Sequence, residues 1–172
     1  MPTPKPTEIL VRIHASAVNA ADWRLRSANP WFVRLVFGPF KPRRPILGVV
    51  FAGEVVRTGV AATKYKKGDK LFGWTSLMKL GGHAEYVALP ETGAFAPIPA
   101  AMSYTDAAAI PFGFGTALHF LRKAKVTKGQ RVLIYGASGA VGSAAIQLAG
   151  HLGAEVTGVC STANLDLVSA LG

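Results

Sequence analysis

The spacing of apolar and polar positions divides the chain into two textures. Residues Glu8–Ala15 alternate loosely and predict a strand. Val49–Val56 is an apolar run broken at Gly53, which predicts a strand with a bulge or a close backbone approach. Lys70–Gly73 and His83–Leu89 read as further short strands, bounded by Gly68, Gly81, Gly82 and Pro90. Short strands between glycine turns point to a compact barrel-like or sandwich domain. A long insert rich in aromatics and proline, Trp23 to Pro45, separates the first two strands. Its Trp23, Trp31, Phe32, Phe37 and Phe40 either line an apolar pocket or pack the insert onto its domain.

Pro97 and Pro99 mark the change of texture, so two domains are expected, residues 1–97 and residues 98–172. Ser103-Tyr104-Thr105-Asp106 resembles a capping box before an alanine-rich turn, and Thr116–Ala124 continues as helix. Lys128-Gly129-Gln130 turns the chain into a strand, Arg131–Tyr135. Val141, Ala145, Leu148 and Leu152 then recur at near-helical spacing, and Gly153 stops that helix. Glu155–Cys160 is a second apolar strand, read like the first as buried and parallel. The fold class expected is therefore β followed by α/β, the second part being a strand–helix–strand unit of roughly 30 residues.

The turn inside that unit carries the clearest chemistry. From Ala137 the chain reads Ala137-Ser138-Gly139-Ala140-Val141-Gly142, an A-x-G-x-x-G variant of the dinucleotide-binding fingerprint, preceded by Gly136. In this reading Ala137 permits a tight turn and Gly139 lets the backbone approach a pyrophosphate. Gly142 lets the helix pack close to its strand. The phosphates would sit on N–H groups at the positive end of the helix. The second strand runs into Cys160-Ser161-Thr162-Ala163-Asn164 with no carboxylate to accept from a ribose 2′-hydroxyl. Ser161, Thr162 and Asn164 can donate to a 2′-phosphate instead, so NADPH is favoured over NADH. Ser161 or Thr162 can equally cap a following helix built on Leu165, Val168 and Leu171.

Composition narrows the class. The chain has 172 residues, half of them hydrophobic, which is enough for a substantial core. A single cysteine, Cys160, excludes an internal disulfide framework and any multi-cysteine zinc site. No signal peptide and no membrane-spanning run is visible, so a soluble cytoplasmic protein with no membrane partner is expected. The formal net charge of +10 raises the question of nucleic acid. Its small clusters, Lys41, Arg43, Arg44 and Lys64, Lys66, Lys67, lack an RNA-binding motif with interleaved aromatics. A solvated basic surface is the favoured reading.

With these pieces in order, the chain resembles the medium-chain dehydrogenase/reductase superfamily, in its zinc-free quinone-oxidoreductase-like branch. The resemblance rests on Ser16-Ala17-Val18-Asn19-Ala20-Ala21-Asp22, Ile46-Leu47-Gly48, Ala52-Gly53-Glu54-Val55 and Gly68-Asp69-Lys70-Leu71-Phe72-Gly73. It continues through His83-Ala84-Glu85-Tyr86-Val87, Ala107-Ala108-Ala109-Ile110-Pro111, Gly115-Thr116-Ala117-Leu118 and the fingerprint. It implies a GroES-like catalytic domain joined to a Rossmann domain. It also implies hydride transfer from NADPH to a small quinone, enone or related carbonyl substrate. Asn19 would then donate to a developing oxyanion, or else serve as a turn residue satisfying local backbone. Thr116 would lie beside the nicotinamide, or else be an N-terminal helix cap. Zinc-dependent members carry ligands where this chain has Asn19, Val49-Val50 and Ala108, so no zinc is expected.

The chain also departs from the family pattern. Val50 stands where relatives usually have an acidic residue, and Ala163 where close relatives tend to carry arginine, which weakens a 2′-phosphate grip. Family members begin earlier and continue through further Rossmann strands. The chain is therefore expected to be an N-terminal fragment, inactive on its own, whose two-stranded parallel ribbon exposes apolar faces. The alternative is a non-catalytic dinucleotide-binding or interaction protein on the same scaffold. Homodimers are common in the family, but no residue here demonstrates an interface.

Overall fold

The computed structural model describes residues 1–75 and 79–172. These form two compact units, residues 1–109 and residues 110–172. The first holds strands β1 (Glu8–Ala15), β2 (Val50–Thr58), β3 (Lys70–Trp74), β4 (Tyr86–Pro90) and β5 (Phe95–Pro97), with short helices α1 (Ala20–Ser27) and α2 (Val33–Phe37) between β1 and β2. Helix α3 (Tyr104–Lys123) begins in this unit and runs into the second, which holds β6 (Arg131–Tyr135), α4 (Ala140–His151), β7 (Glu155–Val159), the 3₁₀ turn Thr162–Asn164 and α5 (Leu165–Ser169).

In the first unit the strands form one antiparallel sheet of order β4-β1-β2-β3-β5, so of the two forms expected, barrel-like or sandwich, the two-sheet sandwich is absent among the described residues. The predicted strand at residues 83–89 is shorter than expected and starts at Tyr86, although the Glu85 carbonyl still accepts from the Ile13 N–H. The three-residue β5 has no apolar alternation and was not foreseen. Both alternatives offered for Gly53 occur together. The β1–β2 register slips where Ile13 pairs Gly53 and Ala15 pairs Ala52, and a side chain at Gly53 would strike the Arg12 carbonyl. One sheet face buries Ile9, Val11, Phe51, Val55, Leu71, Val87 and Leu89. Ala52, on the other face, packs with Ala107 and Ala108 from the start of α3.

Helix α3 runs unbroken from Tyr104 to Lys123, through the alanine-rich turn and into the helix expected at Thr116–Ala124. Pro111 removes one backbone bond. The small residues that follow allow tight packing: a side chain at Gly113 would strike the Ala140 carbonyl, and Ala117 is buried in the same core. Packing thus overrides the local breakers. The Ser103 cap forms, with the Asp106 N–H donating to Ser103 Oγ at 3.1 Å and Ser103 Oγ donating to the Asp106 carboxylate at 2.6 Å.

In the second unit β6 and β7 pair in parallel, Arg131 opposite Glu155 through Tyr135 opposite Val159. The buried face of α4 is Gly142, Ala144, Ala145, Ile146 and Ala149. Of the predicted stripe, Ala145 is buried and Val141 and Leu148 pack against the same core, while Leu152, the C-cap, is 38% exposed. The strands are not the fully buried pair that their apolar runs suggest, and the exposed apolar face expected of a two-stranded parallel ribbon is present. Ile134 is covered, while Leu133 and Tyr135 are 68% and 87% exposed. A ribbon of two strands with helices on one face leaves its other face open.

Candidate functional site

The β6–α4 turn has the geometry of an anion cradle, with one change from the predicted roles. The left-handed residue is Gly136, at φ 76°, and not Ala137. Ala137 is fully buried, and both its N–H and that of Gly136 donate to the Val159 carbonyl at 2.9 Å, tying the turn to β7. Glycine supplies the positive φ that alanine would resist. Gly142 keeps its predicted role. A Cβ there would run into the Gly136 carbonyl oxygen and come within 2.8 Å of the Ala137 Cα. Gly139 is the N-cap of α4 and has no side chain to cap it, while its own N–H donates to the Gly136 carbonyl. The first intrahelical N–H is that of Ser143, to Gly139. The N–H groups of Ala140, Val141 and Gly142 therefore have no acceptor within the helix and point out of its positive end. Three convergent donors on a glycine turn fit a pyrophosphate.

Asn164 connects this turn to the end of β7. Its Nδ2 donates to Ser138 Oγ at 3.1 Å and to Ser161 Oγ at 3.0 Å, so Ser138, Ser161 and Asn164 are brought together. Both amide protons are engaged, leaving the exposed hydroxyls of Ser161 and Thr162 as the free donors on this loop. Ser161 stands at the N-cap position of the 3₁₀ turn without a side-chain bond to its backbone, so neither predicted hydroxyl acts as a cap. Thr116 is likewise no helix cap, because it lies well inside the continuous α3.

Asn19 occupies the N-cap of α1. Its Oδ1 accepts from the Ala21 N–H at 2.9 Å, and its own N–H donates to Asp22 Oδ2 at 3.0 Å, a reciprocal capping box. The turn role predicted for Asn19 is thus present. Capping uses only the oxygen, however. The Nδ2 is buried with no hydrogen-bond partner. An orphaned buried amide costs about 1–3 kcal/mol, so a donor held this way is available to a bound group.

Sequence reasoning missed what holds this corner. Asp22, 3% exposed, accepts from the Asn19 N–H with one oxygen and from the Gly48 N–H with the other at 3.1 Å. Thr75 Oγ1, also buried, donates to the Gly48 carbonyl at 2.8 Å. The peptide at Gly48 is clamped from both sides, fixing the loop that leads into β2. The signal was an acidic residue three positions after Asn19, the Asp form of a capping box. Its second bond spans 26 residues and has no local trace.

Among the aromatics of the insert, Phe37 alone takes a role predicted for it. Phe37 turns inward beside Leu25, Leu47 and Leu80, around a cleft of about 150 Å³. Trp31, Phe32 and Phe40 are exposed and do neither of the two things expected of them. Among the described residues no group of three or more His, Cys, Asp or Glu is placed to hold a metal ion. His14 stacks on Tyr104 at 4.3 Å. No helix among the described residues is long and apolar enough to cross a membrane.

Comparison with known proteins agrees with this architecture. Residues 5–100 match the alcohol dehydrogenase GroES-like domain. A chloroplastic quinone-oxidoreductase homolog of Spinacia oleracea is 36% identical over 180 residues, covering 100% of this chain and 52% of the relative. The trans-enoyl reductase pgmF of Aspergillus terreus is 35% identical over 173 residues, covering 97% of this chain and 47% of the relative. The solved quinone oxidoreductase from Coxiella burnetii superposes with a TM-score of 0.90 at 31% identity, over 99% of this chain and 53% of that one. The chain spans about half the length of the curated relatives it matches. Its match to the GroES-like domain, together with these relatives, makes it a quinone-oxidoreductase-like member of the medium-chain dehydrogenase/reductase superfamily.

Proposed function

We propose that this chain supplies the nicotinamide-dinucleotide cradle and one wall of the reaction site of an oxidoreductase that reduces a quinone, enone or related carbonyl. The observation that carries the reading is the β6–α4 turn: left-handed Gly136, close-packed Gly142, and three N–H groups at Ala140, Val141 and Gly142 without helical acceptors. Relatives named as quinone oxidoreductase and trans-enoyl reductase support the acceptor class. In this proposal residues 1–97 form the catalytic part and the remainder the cofactor-binding part.

When bound, the dinucleotide supplies the hydride. The turn would hold its pyrophosphate on the N–H groups of α4, with Gly136, Ala137, Ser138 and Gly139 forming the bend that aims them. The hydroxyls of Ser161 and Thr162, on a loop held by Asn164, favour NADPH because no carboxylate repels a 2′-phosphate. Thr116 is assigned to the nicotinamide side. The Asn19 amide donates to the acceptor oxygen as it gains negative charge, stabilising that charge in place of water. Zinc has no part in the proposal. Val49, Val50 and Ala108 are buried apolar side chains, and Asn19 is a neutral amide, so the residues at these positions do not fit the metal.

The test is a parallel titration of the purified chain with NADPH and NADH, followed by nucleotide fluorescence. Saturable binding with NADPH the tighter is the expected result. No binding of either nucleotide would reject the cradle, and tighter NADH would reject the roles of Ser161 and Thr162.

A further inference from the structure

Helix α2 presents its apolar residues the wrong way round for a surface helix. Val33 and Phe37, one turn apart, are half-buried, whereas Phe32, Leu35 and Val36 at i, i+3 and i+4 face outward and are exposed. Trp31 precedes them at 72% exposure and Phe40 follows at 98%. Between Asp22 and Glu54 the chain has no acidic residue and six cationic ones: Arg24, Arg26, Arg34, Lys41, Arg43 and Arg44. All six are exposed. The insert therefore combines an exposed apolar ridge, Phe32, Leu35 and Val36, flanked in sequence by exposed Trp31 and Phe40, with six exposed cations and no acidic residue of its own.

We propose that this ridge docks the protein on the surface of an anionic phospholipid bilayer, with Trp31, Phe32, Leu35, Val36 and Phe40 entering the headgroup region and the six cations facing lipid phosphates. The combination of exposed aromatics, aliphatics and Lys/Arg is what an interfacial segment requires. The expectation of no membrane partner rested on the lack of a spanning run, which says nothing of surface docking. A second copy of this chain is disfavoured as occupant. A self-complementary contact on this face would set the same cations against each other. A nucleic acid would meet the cations but has no use for Leu35 and Val36, which are not stacking platforms.

The test is sedimentation of the unmodified chain with phosphatidylcholine vesicles, with and without about 30 mol % phosphatidylserine, across a salt series. Binding only to the anionic vesicles, weakening as salt shortens the screening length, is expected. Each surface cation contributes about fivefold in partition, so Lys41→Ala with Arg43→Ala should lose about 25-fold. Trp31→Ser with Phe40→Ser, at exposed positions the fold does not need, should lose at least about tenfold. No sedimentation with either vesicle overturns the proposal. So does equal binding to neutral vesicles, or a charge variant that binds like the parent. Self-association abolished by the Trp31/Phe40 variant would assign the ridge to a dimer instead, and single-stranded RNA displacing the vesicles from an aromatic variant that still binds them would assign the cations to nucleic acid; either result rejects the bilayer.

Discussion

Replacing two glycines of the same turn should separate folding from binding. At Gly142 an added Cβ meets the Gly136 carbonyl oxygen and the Ala137 Cα, both backbone atoms that have no flexible end to move aside. Overpacking against rigid neighbours costs about 3 kcal/mol. Alanine in a helix returns about 1 kcal/mol of backbone entropy. Gly142→Ala should therefore destabilise the second unit by about 2 kcal/mol and displace the turn that aims the cradle. At Gly139 the only obstacle is the Gly136 carbonyl oxygen at 3.3 Å, and the φ of −79° suits any residue. Gly139→Ala should leave stability within about 0.5 kcal/mol of the parent. Its methyl would stand where the pyrophosphate must approach the backbone, so nucleotide affinity should fall by at least about tenfold. Urea unfolding and NADPH fluorescence titration of both variants read the two effects separately. If Gly142→Ala is as stable as the parent, the close approach is not structural. If Gly139→Ala binds NADPH normally, the pyrophosphate does not sit on this turn.

Three further outcomes follow from the first unit. Asp22→Ala removes the acceptor of two backbone N–H groups and should cost about 2–4 kcal/mol in urea unfolding, with Asp22→Asn recovering part of it. Asn19→Asp keeps the oxygen that caps α1 but deletes the buried amide donor; in a chain that turns over, quinone reduction should fall about 100-fold, with urea unfolding reading separately the cost of a carboxylate oxygen buried near Asp22. Glu8 gives a pH signature. Burial acts to raise its pKa, but Lys79 at 2.6 Å, the Lys5 N–H and their charges outweigh this and hold the carboxyl below its usual 4.5. A lowered folded value means the contribution is complete above 4.5 and is lost as pH falls through that lowered value. Acid unfolding of Lys79→Met should accordingly lose its steepest part below that pH, and an unchanged acid limb would remove the pair from the account.

Local sequence determined those features that close over a few residues. The bounds of β1 and β6 followed from apolar patterning, and the strand–turn–helix order followed from small residues between a β-branched run and a helical one. The Ser103 cap and the turn role of Asn19 toward its local backbone were readable for the same reason, since their partners lie within three residues. Tertiary structure decided whatever needed a distant neighbour. It chose Gly136 over Ala137 as the left-handed residue, because Ala137 is drawn into the core while both N–H groups reach Val159. It carried α3 through Pro111, since close packing at Gly113 and Ala117 outweighs one lost backbone bond. It engaged Asn164 with Ser138 across 26 residues and left the Asn19 amide buried without a partner. It also left Trp31, Phe32 and Phe40 of the insert exposed, where pocket lining or packing onto the domain was expected, while Phe37 turned inward. Propensity and capping act through neighbours along the chain, whereas burial and hydrogen-bond satisfaction are settled only once remote segments meet.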